Sequence, residues 1–569
     1  MNLWSKFSNF FGGGQYLDAN NNQSCEFNQA GGDITKVAIT NNYFGSTANL
    51  LLDHFAEEKA REIKKMIEEG HITFAEFELS KIFTTGDFSA LDTSKQAEYF
   101  YLNGLISLRK GSSEVILHQV NKLRSIGEEV KANQLAIHLA LANGDENAFQ
   151  ASLANLRKCG VPSDECDVFL GAYYVCCQQS DLAISILTTG GVIKPSLVTN
   201  SDARLYLGLA YCQKLEYGLA KNEFDTAYKS KPLPYTKYLL TIATINPIVA
   251  RKGVLLILSD EDRELITQCI SSFQDIEYFF KEQLLEQKVE YWMNRLTASL
   301  ILDPVALIQY IPSLTLDIQR DDLIQIILGD AYFLTNDYPK AQAVFDAIYR
   351  QNRKPEILMK IAVAMYNQSS SLEIIQLLKD LPYSNFDNEG IIASIYINSY
   401  DKHNDYDQIK PFIEDMEKEF GKCLIFLEEA SLIAFRNRDF IWSKSLIQRA
   451  IEGVKKSDSL VSCLSIADCC LKMGLIDEAI DVLRPCAKDF DIGRKKLLNL
   501  LLSTDNAEYL NEAKDIADKA ISSTKGPFYY TIRADALIKE RKHYQAFLDY
   551  ERAFEIEPSI RLAYNASIA

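Results

Sequence analysis

The stretch Ser201–Pro232 reads SDARLYLGLAYCQKLEYGLAKNEFDTAYKSKP, and it decides the fold. Leu207, Gly208 and Tyr211 fall on one face of a first helix; Ala220, Phe224 and Ala227 fall on one face of a second. Small Gly208 and Ala220 let two antiparallel helices approach closely, and Tyr211 and Phe224 fill the space between units. Ala227 leaves room for whatever packs next, and Pro232 cannot continue a helix.

The same register recurs along the chain. Starting at Asp322 it gives Leu328, Gly329, Tyr332, Ala341, Phe345 and Ile348; starting at Asp164 it gives Leu170, Gly171, Tyr174, Ala183 and Leu187. Copies at Leu460 (Ala467, Cys470, Ala479, Leu483, Cys486) and Pro527 (Ala534, Leu537, Ala546, Tyr550, Ala553, Pro558) follow it too. These spacings resemble the tetratricopeptide-repeat family, whose unit is about 34 residues of helix–turn–helix. The match at Ser201 departs only at the first aromatic position, where Arg204 stands. The resemblance implies an all-α, tetratricopeptide-like solenoid of antiparallel helix pairs, about 12 to 15 pairs by length. It divides the chain into a non-repeat segment at 1–47, a first array at 48–244, an irregular or longer helix pair at 245–315, and a second array at 316–569. Longer loops are expected at 190–201 and 380–389.

Composition agrees with a helical, ordered chain. The 569 residues are 47% hydrophobic and 24% charged, with only 14 Pro and 26 Gly. Scarce Pro and Gly disfavour an all-β sandwich. The net charge of −17 repels phosphate, which argues against direct nucleic-acid binding and against an anionic membrane surface. The 12 cysteines sit mostly in apolar helical runs and read as reduced thiols of a cytoplasmic protein. No secretory signal and no membrane span is expected. The best apolar run, 239–258, is broken by Asn246, Pro247, Arg251 and Lys252.

The first 47 residues differ from the rest. Leu3, Trp4, Phe7, Phe10 and Phe11 share one helix face, and Gly12, Gly13 and Gly14 then break the helix. This reads as an aromatic anchor on a glycine leash, able to dock into the chain's own groove, on a second copy or on a partner protein. Further on, Gly31-Gly32 between two short runs suits a β-hairpin turn. The stretch QAGGDITKVAITNNYFG at 29–45 resembles short β-preludes of bacterial anti-phage defence proteins.

No catalytic constellation is visible. The chain has no phosphate-binding loop, no H-E-x-x-H and no G-x-S-x-G, and its six His are scattered. Cys159 and Cys166, like Cys463 and Cys470, are seven residues apart. On a helix that puts them on one face but about 10.5 Å apart, too far to share a zinc ion. The expectation is therefore no catalytic residue, no cofactor and no metal.

The family resemblance implies that the first helix of each pair lines a concave face. It maps Leu205, Leu209 and Gln213 there from one copy, and Ile326, Asp330 and Phe333 from another. This set lacks the Lys and Asn of family members that clamp a C-terminal carboxylate. An apolar face with a few acids suits an amphipathic helix or aromatic peptide; the alternative is that these residues pack within a tightly wound superhelix and bind nothing. Three readings follow. The first is a non-enzymatic scaffold or adaptor, which the 29–45 resemblance narrows to a sensor or adaptor subunit of an anti-phage complex with a separate effector. The second is a peptide- or signal-binding regulator outside defence. The third is a cryptic enzyme built on 245–315.

Overall fold

The computed structural model describes residues 54–84, 88, 91–252, 258, 260–379, 387, 390–455, 460–504, 506–524 and 526–569. The aromatic anchor and the hairpin expected within 1–47 lie outside these residues. The described residues are almost entirely helical and fall into two compact units, one ending at Ile348 and one starting at Tyr349.

In the first unit, consecutive helices pack as antiparallel pairs. His54–Glu68 pairs with Ile72–Thr84, Thr93–Arg109 with Ser113–Ser125, and Glu129–Asn143 with Glu146–Lys158. Ser163–Cys176 pairs with Ser180–Leu187, Ser201–Gln213 with Tyr217–Ser230, and Pro234–Lys252 with Asp260–Lys281. Leu285–Leu302 and Pro304–Tyr310 follow and carry Asp322–Leu334 against them. That packing holds 316–348 to the first unit, so the units divide inside the helix Tyr338–Asn352. The stretch 245–315 contains the long helices Asp260–Lys281 and Leu285–Leu302, of 22 and 18 residues. The second unit continues with pairs such as Leu424–Arg436 with Phe440–Val454 and Pro527–Lys539 with His543–Ile556.

The turns within several of these pairs share one design. In the Ser201 pair the Glu216 N–H donates to the Tyr211 carbonyl at 2.9 Å, across Leu215 at φ 61°. The same bond closes Gln179 to Tyr174 and Asp337 to Tyr332, each at 2.8 Å, and Asp439 to Ala434 and Lys542 to Leu537, each at 2.9 Å. This is the left-handed helix stop that satisfies the last carbonyls and turns the chain back. The Tyr217 helix ends where Lys231 becomes extended, one residue before Pro232.

The small-residue positions are contact points. A Cβ placed on Gly208 would lie 2.5 Å from Phe224 Cε1, and one on Gly329 would lie 2.4 Å from Phe345 Cε1. Both aromatic rings are fully buried. The array is thus a tetratricopeptide-like α-solenoid; Gly171, Gly208 and Gly329 of first helices receive large side chains of their second helices, and Gly104 receives Leu135 of the next first helix. Outside that pattern, Gly190 (φ 61°) and Gly191 (φ 82°) fold the 188–193 stretch into a two-residue hairpin turn. The expected loop at 190–201 therefore begins with a short antiparallel bridge, Thr188–Thr189 to Val192–Ile193. Of the 380–389 loop, Asp387 is described. Its carboxylate accepts from the Ile391 and Ala393 N–H groups, each at 2.8 Å, and so starts the next helix.

Candidate functional site

First helices differ from second helices in how much of their surface is covered. In the Ser201 helix Ala203 and every residue from Leu205 to Tyr211 are buried, leaving no apolar stripe distinct from a polar one. In the Tyr217 helix only Tyr217, Ala220, Phe224 and Ala227 are buried, one face of an amphipathic helix. The inner face of this part of the array is therefore occupied by the chain itself.

The cause is closure of the first unit on itself. The first helix pair meets the sixth along a seam joining residues roughly 160 to 210 positions apart. Lys231 Nζ lies 2.9 Å from Glu68 Oε1. The Thr73 N–H donates to Glu282 Oε2 at 2.8 Å, and the His71 ring stacks on Tyr278 at 5.6 Å between centroids. Gly70, at φ 87°, sits so close to Phe279 that a Cβ there would stand 2.4 Å from Cδ2. Arg109, the last residue of its helix, is 3% exposed. It donates to the Ile67 carbonyl at 3.3 Å and lies 5.5 Å from the centre of the Phe279 ring. Burial pushes its guanidinium down to about 9, while Glu68 and Tyr235 pull the other way.

Of the inward residues expected to line the groove, Leu205 and Leu209 take their places in this interior. Leu205 and Leu209 belong to one continuous apolar core with Tyr235, Tyr238, Phe279 and Tyr291. Gln213 is half-buried and fastens its pair to the preceding one: Ser180 Oγ donates to its Oε1 at 2.7 Å, and its Nε2 donates to the Val175 carbonyl at 2.8 Å. In the Asp322 pair, Ile326 and Asp330 are buried and Phe333 is fully so, edge-on to Tyr338 at 5.1 Å. The two sets lie on different helix pairs, and each is packed within its own surroundings.

The same interior holds polar groups that the sequence did not single out. The Tyr238 hydroxyl donates to Glu290 Oε1 and accepts from Asn294 Nδ2, both at 2.9 Å. Burial and the Glu290 charge hold this phenol well above its ordinary value. His138 is 1% exposed, and burial drives its imidazole well below 6.5, so it is neutral at pH 7. The one sequence signal for the seam is Arg109 at the end of the apolar run YLNGLISLR.

Exposed apolar side chains recur in the first turn of second helices. Phe74, Val115, Leu182 and Leu219 each stand four residues after a left-handed turn residue (Gly70, Gly111, Gln178, Leu215) and are 64%, 41%, 47% and 48% exposed. In the second unit Leu372, Ile441 and Tyr544 stand three residues after Ser369, Arg438 and Arg541, and are 59%, 89% and 74% exposed.

Among the described residues, no group of three His, Cys, Asp or Glu side chains is placed to share a metal ion, and eleven cysteines are free thiols. No described helix is long and apolar enough to cross a membrane. No family model matches the chain, and no curated protein matches it. Among solved structures, the chain is similar to yeast Tom70, at 13% identity and a TM-score of 0.31, over 90% of this chain and 95% of that one. It is similar to the human IFIT1 dimer with PPP-AAAA at 12% identity and a TM-score of 0.32, over 92% of this chain and 100% of that one. It is also similar to the APC/C hetero-tetramer Cut9-Hcn1 at 13% identity and a TM-score of 0.27, over 84% and 97% of the two chains.

Proposed function

We propose that the chain is a non-enzymatic scaffold or adaptor of the cytoplasm that holds protein partners. The observation that carries this reading is the recurrence of exposed apolar residues in the first turn of second helices: Phe74, Val115, Leu182 and Leu219 in one unit, Leu372, Ile441 and Tyr544 in the other. Single exposed apolar residues are ordinary, but repetition in the first turn of stacked second helices makes a ridge within each unit suited to protein contact. The ridge lies on the turn edge and leaves the filled interior undisturbed. The test is affinity capture with the full chain, comparing wild type with Leu182→Asp/Leu219→Asp and with Ile441→Asp. Loss of captured partners at an unchanged melting temperature supports the reading. Undiminished capture by both variants sinks it.

Within this reading, Leu3, Trp4, Phe7, Phe10 and Phe11 are a second attachment point, for a partner or for another copy. Deleting residues 1–14 should abolish assembly or capture while leaving the melting temperature unchanged. The finer assignment, an adaptor or sensor subunit of bacterial anti-phage defence, rests on the 29–45 stretch alone. A neighbouring effector gene supports it, and an isolated housekeeping setting removes it.

A further inference from the structure

Five large apolar side chains stand exposed around the seam of the first unit. They are Phe74 and Phe77 on the helix Ile72–Thr84, Tyr278 on Asp260–Lys281, and Leu284 and Leu285 where Leu285–Leu302 begins. Each is between 40% and 64% exposed. Phe74 and Phe77, three residues apart, share one helix face. The bond from the Thr73 N–H to Glu282 sets that face beside the turn that carries Leu284 and Leu285, and the stacking of His71 on Tyr278 brings in the third element. A Cβ on Gly111 would lie 3.7 Å from Leu284 Cδ1, and Lys110 Nζ lies 2.7 Å from Glu76 Oε1, which closes the junction on its other side. Five such side chains from three elements meeting at one junction form a patch, and a patch of this kind marks a surface that something covers.

The candidate cover is tethered next to it. The described chain begins at His54, and the residues just before it include Tyr43, Phe44, Leu50, Leu51 and Leu52. Lys59, about 7.5 Å along the helix axis from His54, lies 2.8 Å from Glu78, the neighbour of Phe77. Phe77 is therefore about 10–15 Å from His54, and Phe74 roughly 5 Å further along the same helix. Residues 43–53 can span up to about 36 Å, enough to pass Phe77 and Phe74 and reach Leu285. So short a tether holds the segment beside the patch at an effective concentration of about millimolar, above what a second copy reaches at micromolar protein. From Tyr43 to Leu52 the segment carries no charge, so the acidic chain, at −17, does not repel it.

We infer that residues 43–52 dock on this patch of their own chain, with the leucines 50–52 against Phe77 and with Tyr43 and Phe44 reaching toward Phe74, Leu284 and Leu285. Phe74 is also the first member of the turn ridge, so the docked segment covers that end of the ridge until a partner displaces it. That consequence rests on the scaffold reading; the docking itself does not.

The test uses the full chain with the photoreactive analogue p-benzoylphenylalanine in place of Phe44, irradiated without partners, and mass spectrometry of the digest locates the cross-links. The expected result is cross-links within one molecule to residues 71–81 or 278–289. Phe77→Asp/Leu285→Asp should lower their yield at least roughly threefold, because a docked apolar segment loses two of its contacts to buried charge. Leu182→Asp/Leu219→Asp makes the same kind of change elsewhere in the first unit and should alter the yield less than about twofold. Both double variants must melt like wild type, and Phe77→Ser/Leu285→Ser takes the place of the aspartates if they do not. Equal loss in the patch variant and the control overturns the proposal, as do cross-links from Phe44 confined to other parts of the chain. Mixing ordinary with isotope-labelled protein identifies a second copy as occupant: cross-links between light and heavy chains at the patch overturn docking within one chain. The same analogue at Phe10 checks the aromatic anchor, and cross-links to the patch from Phe10 but not from Phe44 also overturn the proposal. If Phe44 cross-links as expected while Leu182→Asp/Leu219→Asp and Ile441→Asp still capture partners, the docking stands and the scaffold reading falls. If Phe44 misses the patch while those variants lose their partners, the docking falls and the scaffold reading survives.

Discussion

Phe224 occupies the space that a side chain at position 208 would need: its Cε1 lies 2.5 Å from where a Cβ on Gly208 would stand. The ring is completely buried and meets the glycine across the antiparallel pair. Gly208→Leu should therefore force the two helices apart, at a cost of about 1–3 kcal/mol. Gly208→Leu/Phe224→Ala should recover part of that loss, because the new side chain then enters the vacated space. Urea unfolding of the single and double variants measures both terms. An unchanged profile for Gly208→Leu would contradict this packing.

His138 makes stability depend on mildly acidic pH. Its folded value lies well below 6.5 because its site is dry. The unfolded chain therefore binds a proton that the folded chain refuses as pH falls below about 6.5. Stability contributed here is complete above that pH and is lost below it, at up to about 1.4 kcal/mol per pH unit until the folded imidazole itself takes the proton. His138→Leu should flatten the melting temperature between pH 5 and 7 relative to wild type. Parallel curves for the two proteins would show that the imidazole is not shielded.

Arg438 occupies a left-handed turn position at φ 63° with its side chain exposed. Most L-residues pay about 1–2 kcal/mol there, which glycine avoids. Arg438→Gly should raise stability by up to about 1 kcal/mol, read from the denaturation midpoint. A drop instead would show that the turn gains more from the arginine than its backbone loses.

The seam predicts coupling between residues far apart in sequence. Lys231→Met leaves Glu68, whose side chain is 13% exposed, without its lysine partner. The loss should be about 1–3 kcal/mol. Adding Glu68→Gln should recover part of it, since the remaining neutral amide no longer needs a cation. A double-mutant cycle with no coupling would mean that the first and sixth pairs do not meet in solution.

Much of this architecture is legible in the residues themselves. Gly208 with Phe224, Gly329 with Phe345, and Gly171 with Leu187 mark the contact within each pair, because a missing side chain on one helix must be matched by a large one on the other. The turn after Gly190-Gly191 could have been found by the same logic that reads a hairpin at Gly31-Gly32. Closure of the first unit could not. It depends on Glu68, Thr73 and Gly70 meeting Lys231, Glu282 and Phe279, and contacts at that separation leave no local period. For the same reason the residues alone leave Leu205, Leu209, Ile326 and Phe333 open between a groove lining and a packed interior. An apolar residue facing an open channel and one facing a filled interior are the same letter, and only long-range packing tells them apart. Asp439 shows the opposite case: its cap to the Trp442 N–H is local, but Lys410 and Tyr406, which hold its carboxyl below the usual aspartate value, come from the preceding pair.

Because Glu68 must reach Lys231 and Gly70 must receive Phe279, the number of pairs between them is fixed. An array without such a join tolerates internal duplication or loss, each event merely lengthening or shortening it. In the first unit a single gained or lost copy would carry the two edges past each other and strand a carboxylate, a lysine and an aromatic ring together. Change there is restricted to substitution, while variation in copy number is left to segments that do not have to come full circle.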